Sequence, residues 1–284
     1  GLVVTGKSQM SVSLSWVAPV DDGGRSITDY KVEHSVDGSS WSEFAHSAST
    51  NTSITVTGLT RGVSRQFRVS AVNGEGSGEA SSSVTEIPAS VPAAPTALAA
   101  TSKTATSLTI DWTAPDDGGR SIVDYVVRWS VDGSSWTILS DGVSTATSAT
   151  ISGLTRGVSY QVQVSALNAE GQGSQGSLSA IPAVVPGVPT GLVVTGKSQT
   201  SVSLSWVAPV DNGGRSITDY KVEHSVDGSS WSEFAHPASA NTSITVTGLT
   251  RGVSRQFRVS AVNAEGSGEA SSRGALPTNS ESRR

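Results

Sequence analysis

Val202-Ser203-Leu204-Ser205-Trp206, then Pro209-Val-Asp-Asn-Gly-Gly214, then Tyr220-Lys-Val-Glu-His224 is the stretch that decides the fold. Apolar residues at 202, 204 and 206 alternate with serines, a period of two that buries one face of a strand. The proline, acid and glycine cluster breaks the chain and reads as a loop. Tyr220, Val222 and His224 form a second alternating face, opposite Lys221 and Glu223. Asp227-Gly228 signals a hairpin before Trp231 and Phe234, with glycine supplying positive φ. Working outward, Pro189-Thr-Gly-Leu-Val-Val reads as an edge strand. Ile244 and Val246, then Phe257, Val259 and Ala261, give two more strands, and Ala264-Glu-Gly-Ser-Gly268 turns into a last one. About seven short antiparallel strands with a buried Trp on the second are the pattern of an all-β, Ig-like β-sandwich. No segment sustains a 3.6-residue period, so helix content is expected near zero.

The same phrase occurs three times with a period of 95 residues: Tyr30, Tyr125 and Tyr220; Trp41, Trp136 and Trp231; Leu59, Leu154 and Leu249. Residues 1–80 and 191–270 differ at only five positions, which points to recent duplication of an independently folding unit. The expected units are 1–88, with a truncated first strand, 92–182 and 186–277, followed by a tail at 278–284. Repeat one lacks the proline-rich lead of the other two, so the chain reads as a piece of something longer.

Composition excludes several classes of function. No repeat carries a basic stripe: basic against acidic residues run 6 to 9 in 1–88, 4 to 7 in 89–185 and 9 to 8 in 186–284. Nucleic-acid binding by phosphate neutralisation therefore has little basis. With no cysteine, neither a disulfide framework nor a thiolate metal site is available. No apolar run is long enough for a membrane-spanning helix, so membrane insertion is not expected.

Leu14-x-Trp16-x-x-Pro19, Asp21-Asp22-Gly23-Gly24, Tyr30-x-Val32, Gly58-Leu59 and Val69-x-Ala71-x-Asn73-x-x-Gly76-x-Gly78 recur in register through all three repeats. Together they resemble the fibronectin type III domain over almost the whole chain. The resemblance implies three tandem seven-stranded sandwiches without disulfides, used as modules of extracellular proteins. Repeat two keeps the corner tyrosine that the family places six residues after the Gly-Leu leucine, as Leu154 and Tyr160, whereas repeats one and three carry Arg65 and Arg255. Losing that corner is expected to cost about 1–2 kcal/mol, so repeat two should unfold last.

The junctions 87–95 and 181–189 hold three prolines each and read as semi-rigid extended spacers whose Val and Ala can pack into the domain ends. Three such units end to end make a stalk on the order of 100 Å, from the rise per residue of a strand.

Candidate sites are each set against a plainer reading. The Asp21-Asp22 pair and its copies suit calcium, but the third copy is Asp211-Asn212, and turn formation explains the pattern better. His34 and His46, repeated as His224 and His236, lack an assured third metal ligand. No catalytic residue, cofactor site or metal site is expected. Trp41, Trp136 and Trp231, after an Asp-Gly-Ser-Ser hairpin, either stack on sugars or cover the edge of their own sandwich. Lys31, Glu33, Gln66 and Arg68 face outward, with Glu33 and Arg68 a cross-strand pair, as a partner surface or a solvated charged face. Asn51-Thr-Ser53 and Asn241-Thr-Ser243 fit the glycosylation acceptor pattern.

The leading expectation is a non-enzymatic spacer or adhesion stalk, extracellular or at the cell surface, with a bacterial flavour by resemblance. Its contacts with protein or polysaccharide are expected to be weak and multivalent, and self-assembly is open. Alternatives are a virion or tail structural protein and accessory modules of a secreted polysaccharide-degrading enzyme. The Leu276-Pro277-Thr278-Asn279 segment resembles a sortase motif only in part.

Overall fold

The computed structural model describes residues 1–272 and the backbone of Gly274 and Ala275. The expected tail and the sortase-like segment lie outside the described residues. Repeat one contains β1 (Val3–Lys7), β2 (Val12–Ser15), β3 (Asp29–Ser35), β4 (Ser42–Glu43), β5 (Ser53–Val56), β6 (Arg65–Asn73), β7 (Gly76–Ser77) and β8 (Val84–Glu86). Repeat two contains β9 (Thr96–Lys103), β10 (Leu108–Thr113), β11 (Asp124–Ser130), β12 (Thr137–Ile138), β13 (Ser148–Ile151), β14 (Tyr160–Asn168) and β15 (Gly171–Ala180). Repeat three contains β16 (Thr190–Lys197), β17 (Val202–Val207), β18 (Asp219–Ser225), β19 (Ser232–Glu233), β20 (Ser243–Val246), β21 (Gln256–Asn263), β22 (Gly266–Ser267) and β23 (Gly274–Ala275). Among the described residues there is no helix.

Each repeat packs a three-stranded sheet, β1-β2-β5 in the first, on a second sheet ordered β4-β3-β6-β7 with β8 also on β6. The seventh strand runs unbroken as β15 in repeat two and is split in the other two. At the break the Ser81 hydroxyl accepts the Val69 N–H, and Ser271 does the same for Val259. A side chain thus takes a ladder bond that backbone would otherwise fill.

The cores follow from the alternation. Val12, Leu14 and Trp16 from one sheet meet Tyr30, Val32, Phe67 and Val69 from the other, all buried. Trp16 and Tyr30 sit edge to face at 5.2 Å, and Trp112–Tyr125 and Trp206–Tyr220 repeat the pair at 5.2 and 5.1 Å. Such pairs add about 0.5–1.5 kcal/mol beyond the area they bury. They key the two sheets together at one fixed point in every repeat.

Candidate functional site

Two features recur: a docked joint between consecutive repeats and a stacked patch on one sheet of each. The joint is built from turns. In the loop 115–120, Asp116 Oδ1 accepts Gly118 N at 2.9 Å and Asp117 Oδ1 accepts Gly119 N at 2.8 Å. In repeat three, Asp211 and Asn212 cap Gly213 and Gly214 in the same way. An amide oxygen caps a turn as well as a carboxylate does, which is why Asn212 is tolerated at the second position. The first position has a further task. Arg61 Nη1, from the preceding repeat, reaches both Asp116 oxygens at 2.6 and 2.7 Å, and Arg156 Nη1 reaches Asp211 at 2.7 Å. The Arg61 guanidinium and then the Gly118 N–H hold the Asp116 carboxyl below the usual range.

A second ion pair crosses each joint further out. Lys7 Nζ lies 2.7 Å from Glu170, and Lys103 Nζ lies 3.1 Å from Glu265. Burial opposes the Lys7 charge, but its bonds to Glu170 and Glu86 outweigh burial and raise its pKa.

Between these pairs the linker is pinned from both sides. Gly62 N donates to Pro88 O, Ser90 N to Gly118 O, and Ala93 N to Asp116 O, each at 2.9 Å. Asn168 Nδ2 donates to Ser90 O at 2.9 Å. Repeat three repeats the set: Gly157 N to Pro182 O, Val184 N to Gly213 O, Gly187 N to Asp211 O, and Asn263 Nδ2 to Val184 O. Pro88, Pro92 and Pro95 are all buried, as are Pro182, Pro186 and Pro189. Beyond the stiffness read from proline and from Val and Ala at the domain ends, the spacer is therefore held by backbone bonds to both the preceding and the following repeat.

The stacked patch gathers the residues singled out in the sequence. In repeat one the Arg68 guanidinium lies 4.1 Å from the centre of the Trp41 ring and donates to Glu33 at 2.9 Å. Lys31 Nζ approaches Glu33 at 2.9 Å. Glu33 and Arg68 face each other in the register of β3 and β6. Repeat three has the same stack from Trp231, Arg258, Glu223 and Lys221. Repeat two trades places across the strands: Arg128 lies 4.8 Å from the Trp136 ring and donates to Gln163. A guanidinium over the indole is what all three retain. Two details of the patch come from the tertiary structure. Glu33 is buried beneath Arg68 and Lys31, which themselves stay part-exposed. The tryptophans are half-buried, with one ring face taken by arginine.

The lost corner is also rebuilt. Tyr160 Oη accepts Thr155 N at 2.9 Å, as the resemblance implied. In repeat one Arg65 reaches His34 at 3.1 Å and the Thr60 hydroxyl at 3.4 Å, and Arg255 reaches His224 at 3.0 Å. The swap is coupled: Arg with His in two repeats, Tyr with Trp129 in the third. Burial, then Arg65, lowers the pKa of His34. His46 is bound locally instead, its Nε2 2.9 Å from Tyr30 O and its Nδ1 3.0 Å from Ser47 O. Among the described residues no group of three or more His, Asp or Glu is placed to hold a metal ion.

A family model described as "Fibronectin type III domain" matches residues 1–87, 93–181 and 187–275. The chain belongs to the fibronectin type III family. Myomesin-2 of Homo sapiens is 32% identical over 277 residues, 93% of this chain and 19% of that protein. Exoglucanase B of Cellulomonas fimi is 28% identical over 278 residues, 92% of this chain and 23% of its own length. Cardiac-type myosin-binding protein C of Mus musculus is 32% identical over 183 residues, 63% of this chain and 14% of that protein. The chain thus spans less than a quarter of the length of these relatives. A crystal structure of chicken CNTN1 FN1-FN3 domains aligns over 98% of this chain and 97% of that one, at 20% identity and a TM-score of 0.45.

The joint escaped sequence reasoning although it left a trace. Thr60-Arg-Gly62, Thr155-Arg-Gly157 and Thr250-Arg-Gly252 put an arginine at one place in every repeat, beside a glycine. Its partner is 55 residues away in another domain. Periodicity within a repeat carries no record of such a pairing.

Proposed function

We propose that the array is a stiff, non-catalytic spacer in a larger protein, holding whatever lies beyond its ends at a set distance and orientation. The observation that carries this reading is the repetition of one docked joint, ion pairs and linker seat alike, at both junctions. Fibronectin type III domains in structural muscle proteins and in a glucanase fit an accessory role of this kind. The mechanism is geometric and serves either setting. We favour an extracellular or cell-surface parent, as the modular resemblance first suggested. Small-angle scattering, or distances between labels in repeats one and three, tests the spacer. A single narrow end-to-end distribution is expected, and one as broad as freely jointed domains would refute it.

A second reading is supported by the guanidinium-backed indoles and the similarity to Exoglucanase B: the patch contacts protein or polysaccharide weakly, several repeats at a time. A pull-down on insoluble polysaccharide with and without Trp41→Ala, Trp136→Ala and Trp231→Ala tests it. Equal retention of both chains would set it aside.

A further inference from the structure

The three stacked patches differ in how the guanidinium is neutralised. In repeat one Lys31, Glu33, Glu43 and Arg68 share the outer face of the sheet, two charges of each sign, and repeat three has the same set as Lys221, Glu223, Glu233 and Arg258. The buried Glu33 and Glu223 take the arginine in each. In repeat two the same positions are Val126, Arg128, Ile138 and Gln163. Strand register sets Arg128 between Ile138 on β12 and Gln163 on β14. The lysine and both carboxylates are gone, and one cation remains. Among the described residues Arg128 pairs with no carboxylate; its Nε donates to Gln163 Oε1 at 2.9 Å, an acceptor without charge. The acids nearest to it in sequence are committed to backbone: Asp124 Oδ1 accepts Tyr125 N and Ser144 N, and Asp132 Oδ1 accepts Ser134 N and Ser135 N.

The arginine is also held in place. It lies over the Trp136 ring, 4.8 Å from the centre, and that indole is pinned by its own Nε1 donating to Gly133 O at 3.2 Å. With Nε spent on Gln163, the two terminal nitrogens have no acceptor among the described residues. They form a planar fork that matches the two oxygens of a carboxylate. Beside the fork Ile138 is 63% exposed and Val126 half-buried. Loss of Lys and Glu with retention of Trp and Arg is the composition of the centre of a protein–protein contact, not of a solvated face.

We propose that this face of repeat two is a docking surface for a protein partner that presents a carboxylate side chain between apolar ones. The carboxylate takes the Arg128 fork, and its apolar neighbours cover Ile138 and Val126. An acidic polysaccharide would answer the charge but leave the two aliphatic side chains poorly covered. The inference deepens the second reading above, narrowing the patch to one repeat and one class of partner.

The test is amide NMR of the full chain titrated with acetyl-Leu-Ser-Glu-Ser-Leu-amide, which when extended turns Glu and both Leu to one side. Saturable shifts at Arg128, Ile138 and Gln163 are expected, without matching shifts at Glu33, Glu43 and Arg68. The same peptide with Gln in place of Glu should bind about tenfold more weakly, the loss of one charged hydrogen-bonded contact. Gln163→Glu gives Arg128 an internal carboxylate, and the folded variant should lose the peptide to a similar degree. No saturable shift, equal binding of the Gln peptide, an equal response in repeat one, or unchanged binding by folded Gln163→Glu would each overturn the assignment. Polygalacturonate is the parallel arm: if it shifts these amides and the peptide does not, the partner class is wrong while the second reading stands. Equal retention in the tryptophan pull-down, with a positive peptide titration, would set aside polysaccharide alone.

Discussion

Gly118→Ala and Gly23→Ala make the same change in the same turn, yet the joint distinguishes them. Both glycines sit in the left-handed region, at φ 73° and 72°, so the added Cβ carries a similar backbone strain of about 1–2 kcal/mol in each. At Gly23 the new carbon finds only the Asn73 side-chain nitrogen at 3.5 Å, an ordinary contact. At Gly118 it overlaps the Ser90 carbonyl oxygen and comes within 2.8 Å of Val91 O. Overpacking of this kind costs a further 1–3 kcal/mol or so, unless the linker lifts away instead. Lifting away breaks the bonds from Ser90 N and Ala93 N to the loop. Hydrogen exchange therefore reads the outcome directly. In Gly118→Ala the amides of Ser90 and Ala93 should exchange at least about tenfold faster, which corresponds to about 1.4 kcal/mol of lost protection. Those amides should be unmoved in Gly23→Ala, and scattering should show a broader distribution of interdomain angles only in the former. Equal protection in the two variants would mean that the linker is not held by this seat, and the account of the joint would fail.

Other consequences are smaller or conditional. Arg61→Gln and Arg156→Gln should loosen the joint only slightly, since these pairs are part-exposed, and the effect should fade in high salt; a large, salt-independent loss would contradict this. The pKa of His34 and His224 is lowered by burial and then by the neighbouring arginine, so the unfolded chain binds more protons as pH falls below about 6.5. Repeats one and three should thus lose stability from that point downward, while repeat two, with Trp129 in that place, holds; separate melting of the isolated repeats at pH 7.5 and 5.5 checks it. Tyr160→Phe removes the acceptor of Thr155 N and should lower the stability of repeat two by about 1 kcal/mol, narrowing its lead over its neighbours in the same melts. If repeat two already melts at or below the others, the corner is not what ranks them.

Much of this protein was legible in the chain because its signals are local. Alternation at 202–206 placed the strands, since side chains on a pleated strand must point to opposite faces whatever lies around them. Asp227-Gly228 marked its hairpin because only a residue without a Cβ takes that φ cheaply. The pairing of Glu33 with Arg68 followed from the faces of β3 and β6, and the aligned repeats confirmed the period three times. The candidate patch was visible as residue types but not as an object. That Glu33 is buried, and that arginine caps the indole, depend on side chains meeting across strands and a turn.

What tertiary structure alone decided is how one repeat meets the next. Arg61 and Asp116 are ordinary surface residues in their own domains, and nothing in either local pattern obliges them to touch. They are brought together because the linker is bonded to both neighbours, Pro88 O to Gly62 of the preceding repeat and Ser90 and Ala93 to the loop of the following one, which fixes how the two sit. Sequence by itself determined three β-sandwiches and their family; the seating of each linker, a contact between parts far apart along the chain, turned three domains into a jointed array.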